Sequence, residues 1–214
     1  VAYLVGHKEF YSLDFLVNQN VLIPRSDTET LVMAFLELAK PIENPLCVDV
    51  GTGSGCIPIA CLKHHPTAQF IAIDQSASAI EVARMNAEKH AMTGRIAFRQ
   101  GDLLEPLTAD EKADFIVSNP PYIPTVDIAG LDREVREFEP VSALDGGPDG
   151  LEIVRRLVLQ AQEQLKSGGY LLIEIGHDQA EAVTAELSDR QGLEFQGIRK
   201  DLSKIPRVLI LKKK

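Results

Sequence analysis

The chain has 214 residues, 45% hydrophobic and 25% charged, and a formal charge of −9. That size and composition suit one globular domain with a real core, or one domain with a small appendage. The only basic run is Lys212-Lys213-Lys214, so the broad cationic footprint of a phosphate-tracking protein is missing and direct nucleic-acid binding is not expected.

No apolar stretch approaches the roughly 18 residues of a membrane span, and no secretory leader opens the sequence. A chain that does not touch membranes is the expectation. Cys47, Cys56 and Cys61 are odd in number and include no Cys-x-x-Cys pair. They read as buried free thiols of a cytoplasmic protein, and no metal site is expected.

In chain order, residues 1–25 read as a hairpin and linker, with Glu9-Phe10-Tyr11 pairing against Val17 to Ile23 before Pro24. Residues 26–214 read as the main domain. Ser26 and Glu29 have capping-box spacing, and Leu31, Ala34, Phe35, Leu38 and Ala39 form one face of the helix that follows. Pro41 and Pro45 end it. Strands and helices then alternate: strands at 46–50, 70–73, 96–98, 115–117 and 170–175, with helices at 57–62, 77–90, 151–165 and 179–187. Two closing strands, near 194–198 and 208–211, are joined by a loop alone. The pattern predicts an α/β fold of Rossmann type, with a seven-stranded, mostly parallel sheet and a C-terminal antiparallel pair. Residues 123–150 are rich in Pro, Gly, Asp and Glu; a connection that long reads as a lid or binding loop over whatever precedes it.

Asp49-Val50-Gly51-Thr52-Gly53-Ser54-Gly55 joins the first sheet strand to its helix. Glycines there allow a sharp turn and a close backbone approach to a ligand. A nicotinamide fingerprint has Gly-x-Gly-x-x-Gly; here the third glycine comes one residue early and Asp49 precedes the loop. Asp74 ends the second strand, and Asp102 with Leu103 follows the third. Each Asp alone reads as a cap or a turn residue. Together they read as a nucleoside site, with Asp74 accepting from ribose hydroxyls, Asp102 from an adenine amino group and Leu103 beside the ring. This acidic, tightly spaced loop resembles that of S-adenosylmethionine-dependent methyltransferases.

After the fourth strand comes Ser118-Asn119-Pro120-Pro121-Tyr122-Ile123. A turn is the plain reading of Asn-Pro-Pro. Behind a buried strand it reads otherwise: the prolines fix φ and remove N–H donors, leaving a side-chain oxygen and a backbone carbonyl as neighbouring acceptors. Such a pair suits a planar –NH2 group, with Tyr122 against its flat face.

With these motifs, the Ile23-Pro24-Arg25 and Asp27-Thr28-Glu29 segments, Phe138-Glu139-Pro140, Ala143-Leu144, Asp201-Leu202 and Arg207-Val208, the chain resembles the protein-(glutamine-N5) methyltransferases of peptide chain release factors. The resemblance implies S-adenosyl-L-methionine as cofactor, held by Asp49, Gly51, Thr52, Gly53, Ser54, Gly55, Asp74, Asp102, Leu103 and Asn119. It implies Asn119, Pro120 and Tyr122 as catalytic residues, with Pro121 beside them in the substrate site. It also implies a release-factor partner bearing a Gly-Gly-Gln tip, and a monomeric enzyme. Members of that family carry an upstream helical domain that helps engage the substrate, and this sequence starts about where that domain would end. The competing readings are a ribosomal-protein glutamine, an N6-adenine group in DNA, or a binding module without activity. Glu174, within an apolar strand, has two readings, support of the site from below or a satisfied structural hydrogen bond, and the second is the expectation. His7, His64, His65, His90 and His177 read as surface or capping groups.

Overall fold

A computed structural model describes residues 1–187 and 192–214. A short helix α1 (Ala2–Val5) and a two-stranded ribbon, β1 (His7–Phe10) and β2 (Leu13–Leu16), precede helix α2 (Glu29–Ala39). The alternating body follows: β3 (Leu46–Val50), α3 (Cys56–His64), β4 (Gln69–Asp74), α4 (Ala77–Lys89), β5 (Ile96–Gln100) and β6 (Ala113–Ser118). After a long connection containing α5 (Arg133–Phe138) come α6 (Glu152–Gln164), β7 (Leu165–Glu174), α7 (Ala180–Leu187), β8 (Leu193–Lys200) and β9 (Pro206–Lys213). Among the described residues no helix is long and apolar enough to cross a membrane.

The main sheet has seven strands in the order β5-β4-β3-β6-β7-β9-β8. β3 through β7 pair in parallel, and β9 is antiparallel to both β7 and β8. The parallel strands are apolar on both faces because helices cover both. Cys47, Phe115, Val117 and Leu172 face one core with α2 and α3, while Val48, Ile116, Leu171 and Ile173 face the other with α6 and α7. In the first core the Phe35 ring of α2 meets Phe70 at 5.6 Å and Phe115 at 5.0 Å between centroids. Phe10 and Phe15 of the ribbon are buried in that same core.

Two expectations for the first 30 residues need correction. β1 pairs with Leu13–Leu16, not with Val17–Ile23. The turn uses Tyr11 and Ser12, both at positive φ (50° and 59°), residue types that carry no turn signal of the Asn-Gly kind. Nor is there a capping box. Ser26–Thr28 is a 3-10 turn without a side-chain cap, and Glu29 Oε1 accepts from the Tyr11 N–H at 2.9 Å. The ribbon has taken the carboxylate that the local pattern assigned to the helix end. In a third adjustment, the last parallel strand begins at Leu165 rather than Tyr170, running through Gly168 and Gly169. A Cβ at Gly169 would lie 2.9 Å from the Asp114 carbonyl, so glycine there serves strand approach and not helix termination.

Replacing Phe35 by Ala leaves a ring-sized void between α2 and the sheet. Urea denaturation is expected to show a loss of about 3–5 kcal/mol, and Phe35→Leu a smaller one.

Candidate active site

The parallel register decides what meets at the carboxyl edge. Val50 stands opposite Ile73 on one side and Ser118 on the other. The glycine loop, Asp74 and Asn119 therefore leave three adjacent strands at one level. Ser118 Oγ donates to the Val50 carbonyl at 2.8 Å, tying the ends of β3 and β6 together. The loop is fastened on its other side as well: Gly51 and Thr52 N–H groups donate to Ile73 O at 2.9 and 3.0 Å, and Gly53 N–H donates to Asp74 Oδ2 at 2.9 Å. Gly55 has φ 77°, and a Cβ there would press on Ala83 at 3.2 Å, so the early third glycine lets α3 approach α4. Asn86 of α4, fully buried, donates to both the Ser54 and Leu16 carbonyls and locks the loop to the ribbon.

A single cleft runs along this edge. Its wall includes Gly51, Thr52, Gly53, Ser54, Asp74, Asp102, Leu103, Asn119, Pro120 and Pro121, together with Asn20–Leu22, Arg25, Thr28, Pro140, Ser142, Ala143 and Arg156. Nine of the residues singled out from sequence thus share one surface with Asn119. Asp49 and Gly55 lie behind it, and Tyr122 is not part of that wall.

Asp49 is wholly buried, and neither of its oxygens has a hydrogen-bond partner. Burial pushes its pKa up to about 7; Thr52 opposes the shift and Asp74 reinforces it. The Thr52 and Ser54 hydroxyls are buried and unpartnered too. Unanswered polar groups and a carboxylate under a glycine loop favour a cationic ligand group at that loop. Asp74 accepts backbone N–H bonds from Gly53 and Ser76 at 2.9 Å each, and burial raises its pKa. Each oxygen retains a further lone pair for a hydroxyl donor from the cleft.

Asp102 does line the cleft, but one of its oxygens is taken by the Arg156 guanidinium of α6. Leu103 beside it holds φ 47°. Asn119 donates through Nδ2 to Thr28 Oγ1 at 3.0 Å, which turns Oδ1 away from Thr28. Tyr122 lies toward Glu174, Asp27, Arg25 and Arg207. Burial, then Glu174, pushes its phenol up to about 12, so it is neutral at working pH.

The connection after Tyr122 is not a loose lid. Ile123 N–H donates to Leu144 O at 3.0 Å, and Gly146 N–H donates to Ile123 O at 2.8 Å. A Cβ at Gly146 would meet Pro121 O and Tyr122 Cα at 2.8 Å, so residues 144–150 lie flat against the Asn-Pro-Pro-Tyr segment. Gln179 closes the arrangement: Oε1 accepts from Gly176 N–H, and Nε2 donates to the Tyr122 and Gly150 carbonyls. The middle of the connection covers the cleft through Pro140, Ser142 and Ala143, held by the Arg25–Glu139 ion pair. Thr28, Gln179 and Arg156 were not foreseen. Thr28 looked like part of a helix start and Gln179 like the first residue of a helix; their partners are 91 and 57 residues away.

Glu174 also departs from expectation. It is 1% exposed, its Oε2 has no partner, and burial raises its pKa to about 7. It is not a satisfied structural group.

The family model described as "Methyltransferase small domain" matches residues 27–129. A release factor glutamine methyltransferase of Geobacter sulfurreducens is 48% identical over 188 residues, 88% of this chain. The chain spans 64% of that relative's length. The protein of the same name from Koribacter versatilis is 41% identical over 99% of the chain and 74% of its own length. Among solved structures, the release-factor-specific protein-(glutamine-N5) methyltransferase of Alicyclobacillus acidocaldarius superposes with TM-score 0.55 at 28% identity, covering 94% of this chain and 99% of its own.

A carboxyl group whose pKa is raised by folding weakens the fold as pH climbs from its unfolded value, about 4, through about 7. Asp49→Asn removes that penalty. Calorimetric melting of the ligand-free protein is expected to show a higher Tm than wild type at pH 8, with a smaller gain at pH 5.

Proposed function

The chain belongs to the release factor glutamine methyltransferase family, and from that premise we propose that it transfers a methyl group from S-adenosyl-L-methionine to the side-chain amide nitrogen (N5) of a glutamine in a peptide chain release factor. The observation that carries the reading is the shared wall: Asn119, Pro120 and Pro121 face the same cleft as the glycine loop and Asp74. An acceptor for a planar amide and a pocket for a nucleoside then lie side by side.

The residues fit the cofactor. The orphaned Asp49 carboxylate beneath the loop favours an ammonium group, Asp74 has lone pairs left for ribose hydroxyls, and Leu103 offers an apolar contact for a base. Asp102 contributes with the oxygen that Arg156 leaves free. When bound, the cofactor supplies an electrophilic methyl group on a sulfonium centre. Everything else falls to the chain.

A carboxamide nitrogen is a poor nucleophile because its lone pair is delocalised into the carbonyl. Accepting both N–H hydrogens, on Asn119 Oδ1 and the Pro120 carbonyl, raises electron density on nitrogen and fixes its direction. Tyr122, neutral, stands outside the cleft wall and backs this segment from the Glu174 side. The acceleration comes from positioning and from acceptors oriented before the substrate arrives. The net charge of −9 speaks against DNA as the substrate.

Asn119→Ala is expected to leave cofactor affinity, by calorimetry, within a few-fold and to lower methyl transfer to a release factor by at least about 10²-fold. Wild-type turnover would refute the acceptor role. Asp74→Ala is expected to weaken cofactor binding by about 10–100-fold, the worth of a hydrogen bond to a charged acceptor. Mass spectrometry of the methylated release factor locates the modified residue; a methyl group on any residue other than glutamine overturns the substrate assignment.

A further inference from the structure

Beneath Asn119 lies a polar layer for which the chemistry above has no use. Ser118 pairs with Ile173, so the next residues on the two strands, Asn119 and Glu174, are neighbours. By strand alternation they share the sheet face of Val117 and Leu172, the face covered by α2. Thr28, 2% exposed, reaches that spot from the turn before α2. It accepts from Asn119 Nδ2 at 3.0 Å and lies near enough to Glu174 for its hydroxyl to favour the ionised carboxylate. Glu174 Oε2 has no hydrogen-bond partner, so the carboxylate keeps acceptor capacity for that hydroxyl.

A hydroxyl has one hydrogen to give, and an ionised carboxylate can only accept. With the hydroxyl hydrogen on Glu174, Thr28 Oγ1 is left as an acceptor, and only the –NH2 end of the Asn119 amide satisfies it. The oxygen end must then face the other way. This choice matters because the two ends of an amide have nearly the same shape. A flipped Asn119 would set –NH2 against the –NH2 of an incoming carboxamide. We propose that Thr28 and Glu174 are positioning residues: the buried carboxylate sets the Thr28 hydroxyl, the hydroxyl sets the Asn119 amide, and the amide oxygen is thereby presented to the substrate. This rests on the acceptor role given to Asn119 above and extends it to Thr28, at the cleft wall, and to Glu174 behind it.

The cations around Glu174 are engaged elsewhere and do not compete with Thr28 for it. Arg207 of β9 is held by Asp27 and Asp201, and Arg25 by Glu139. Tyr122 and Cys56 both face Glu174 as neutral groups, with pKa values pushed up to about 12. Glu174 itself titrates at about 7, raised by burial first, with Thr28 and Arg207 opposing and Asp27 reinforcing. Once protonated it can donate rather than accept, and Thr28 no longer has to. The orientation of Asn119 is therefore enforced above that pH and relaxed below it.

The test uses the whole chain with Thr28→Val, Thr28→Ser and Glu174→Gln, each checked for folding by thermal unfolding. The side-chain amide ¹⁵N resonance of Asn119, identified by its loss in Asn119→Ala, is followed against pH without substrate. In wild type and Thr28→Ser it is expected to shift with a midpoint near 7; in Glu174→Gln and Thr28→Val that titration disappears. With a release factor, Thr28→Val is expected to lose about 10²-fold in kcat with cofactor affinity unchanged. Thr28→Ser restores most of it, and Glu174→Gln flattens the acid limb of the kcat profile. An Asn119 resonance indifferent to both Glu174→Gln and Thr28→Val overturns the inference, as does wild-type kcat in Thr28→Val. If the resonances behave as expected while no glutamine is methylated, the positioning contact stands and the assigned reaction fails.

Discussion

The site depends on three parallel strands ending level with one another. β3 lies between β4 and β6, with Val50 opposite both Ile73 and Ser118. That alignment brings a glycine loop, a carboxylate and an amide to one edge. A slip of one residue in β6 would exchange its two faces, sending Phe115 and Val117 away from Phe35 and turning Asn119 away from Thr28. The aromatic cluster of Phe35, Phe70 and Phe115 and the Ser118–Val50 hydrogen bond both oppose such a slip. Core packing and site geometry are therefore one constraint.

The same face of the sheet carries two acids that a core tolerates poorly. Asp49 shares the face of Cys47, and Glu174 that of Leu172, both lining the core beneath α2 and α3. Neither is paired with a cation, and both have pKa values near 7. The cations nearby are committed elsewhere, Arg207 to Asp27 and Asp201, Arg25 to Glu139. Burying an unpaired carboxylate costs stability that an apolar side chain would not. Each acid lies directly behind a part of the cleft wall, Asp49 behind the glycine loop and Glu174 behind Thr28 and Asn119. Their positions follow the site rather than the needs of the core.

What the sequence made legible was what local pattern encodes. Apolar runs such as Phe70–Ile73 and Phe115–Val117 separated by helical periodicity gave the strand and helix order. The glycine spacing at 51–55, the carboxylate at 74 and the paired prolines after Asn119 pointed to one sheet edge, and residues of all three line one cleft there. Most departures are places where a distant partner overrode a local rule. Glu29 serves Tyr11 instead of Ser26, Asp102 meets Arg156 from α6, and Thr28 meets Asn119 across 91 residues. The Tyr11-Ser12 turn failed for a different reason, since neither residue type advertises a left-handed backbone. One signal was present and underused: a lone Glu in the apolar strand Tyr170–Ile175, on the face opposite Leu171 and Ile173, had no local reason to be there.

The group proposed above as substrate is a neutral carboxamide, so acceptors that must reorganise on binding would gain little from it. The segment proposed to meet it is built against reorganisation. Pro120 and Pro121 have fixed φ and no N–H to compete for carbonyls. Gly146 and Gly150 are required because any Cβ would strike the Pro121 and Tyr122 backbone, so the returning chain lies in contact with it. Gln179 then fills the remaining backbone acceptors at Tyr122 and Gly150 from the sheet side. Held from both sides, the segment has one soft torsion left that bears on acceptor direction, the amide of Asn119 itself. The buried hydroxyl and carboxylate behind it act on that torsion, which explains why polar groups occupy a layer that the rest of the sheet fills with Phe, Val and Leu.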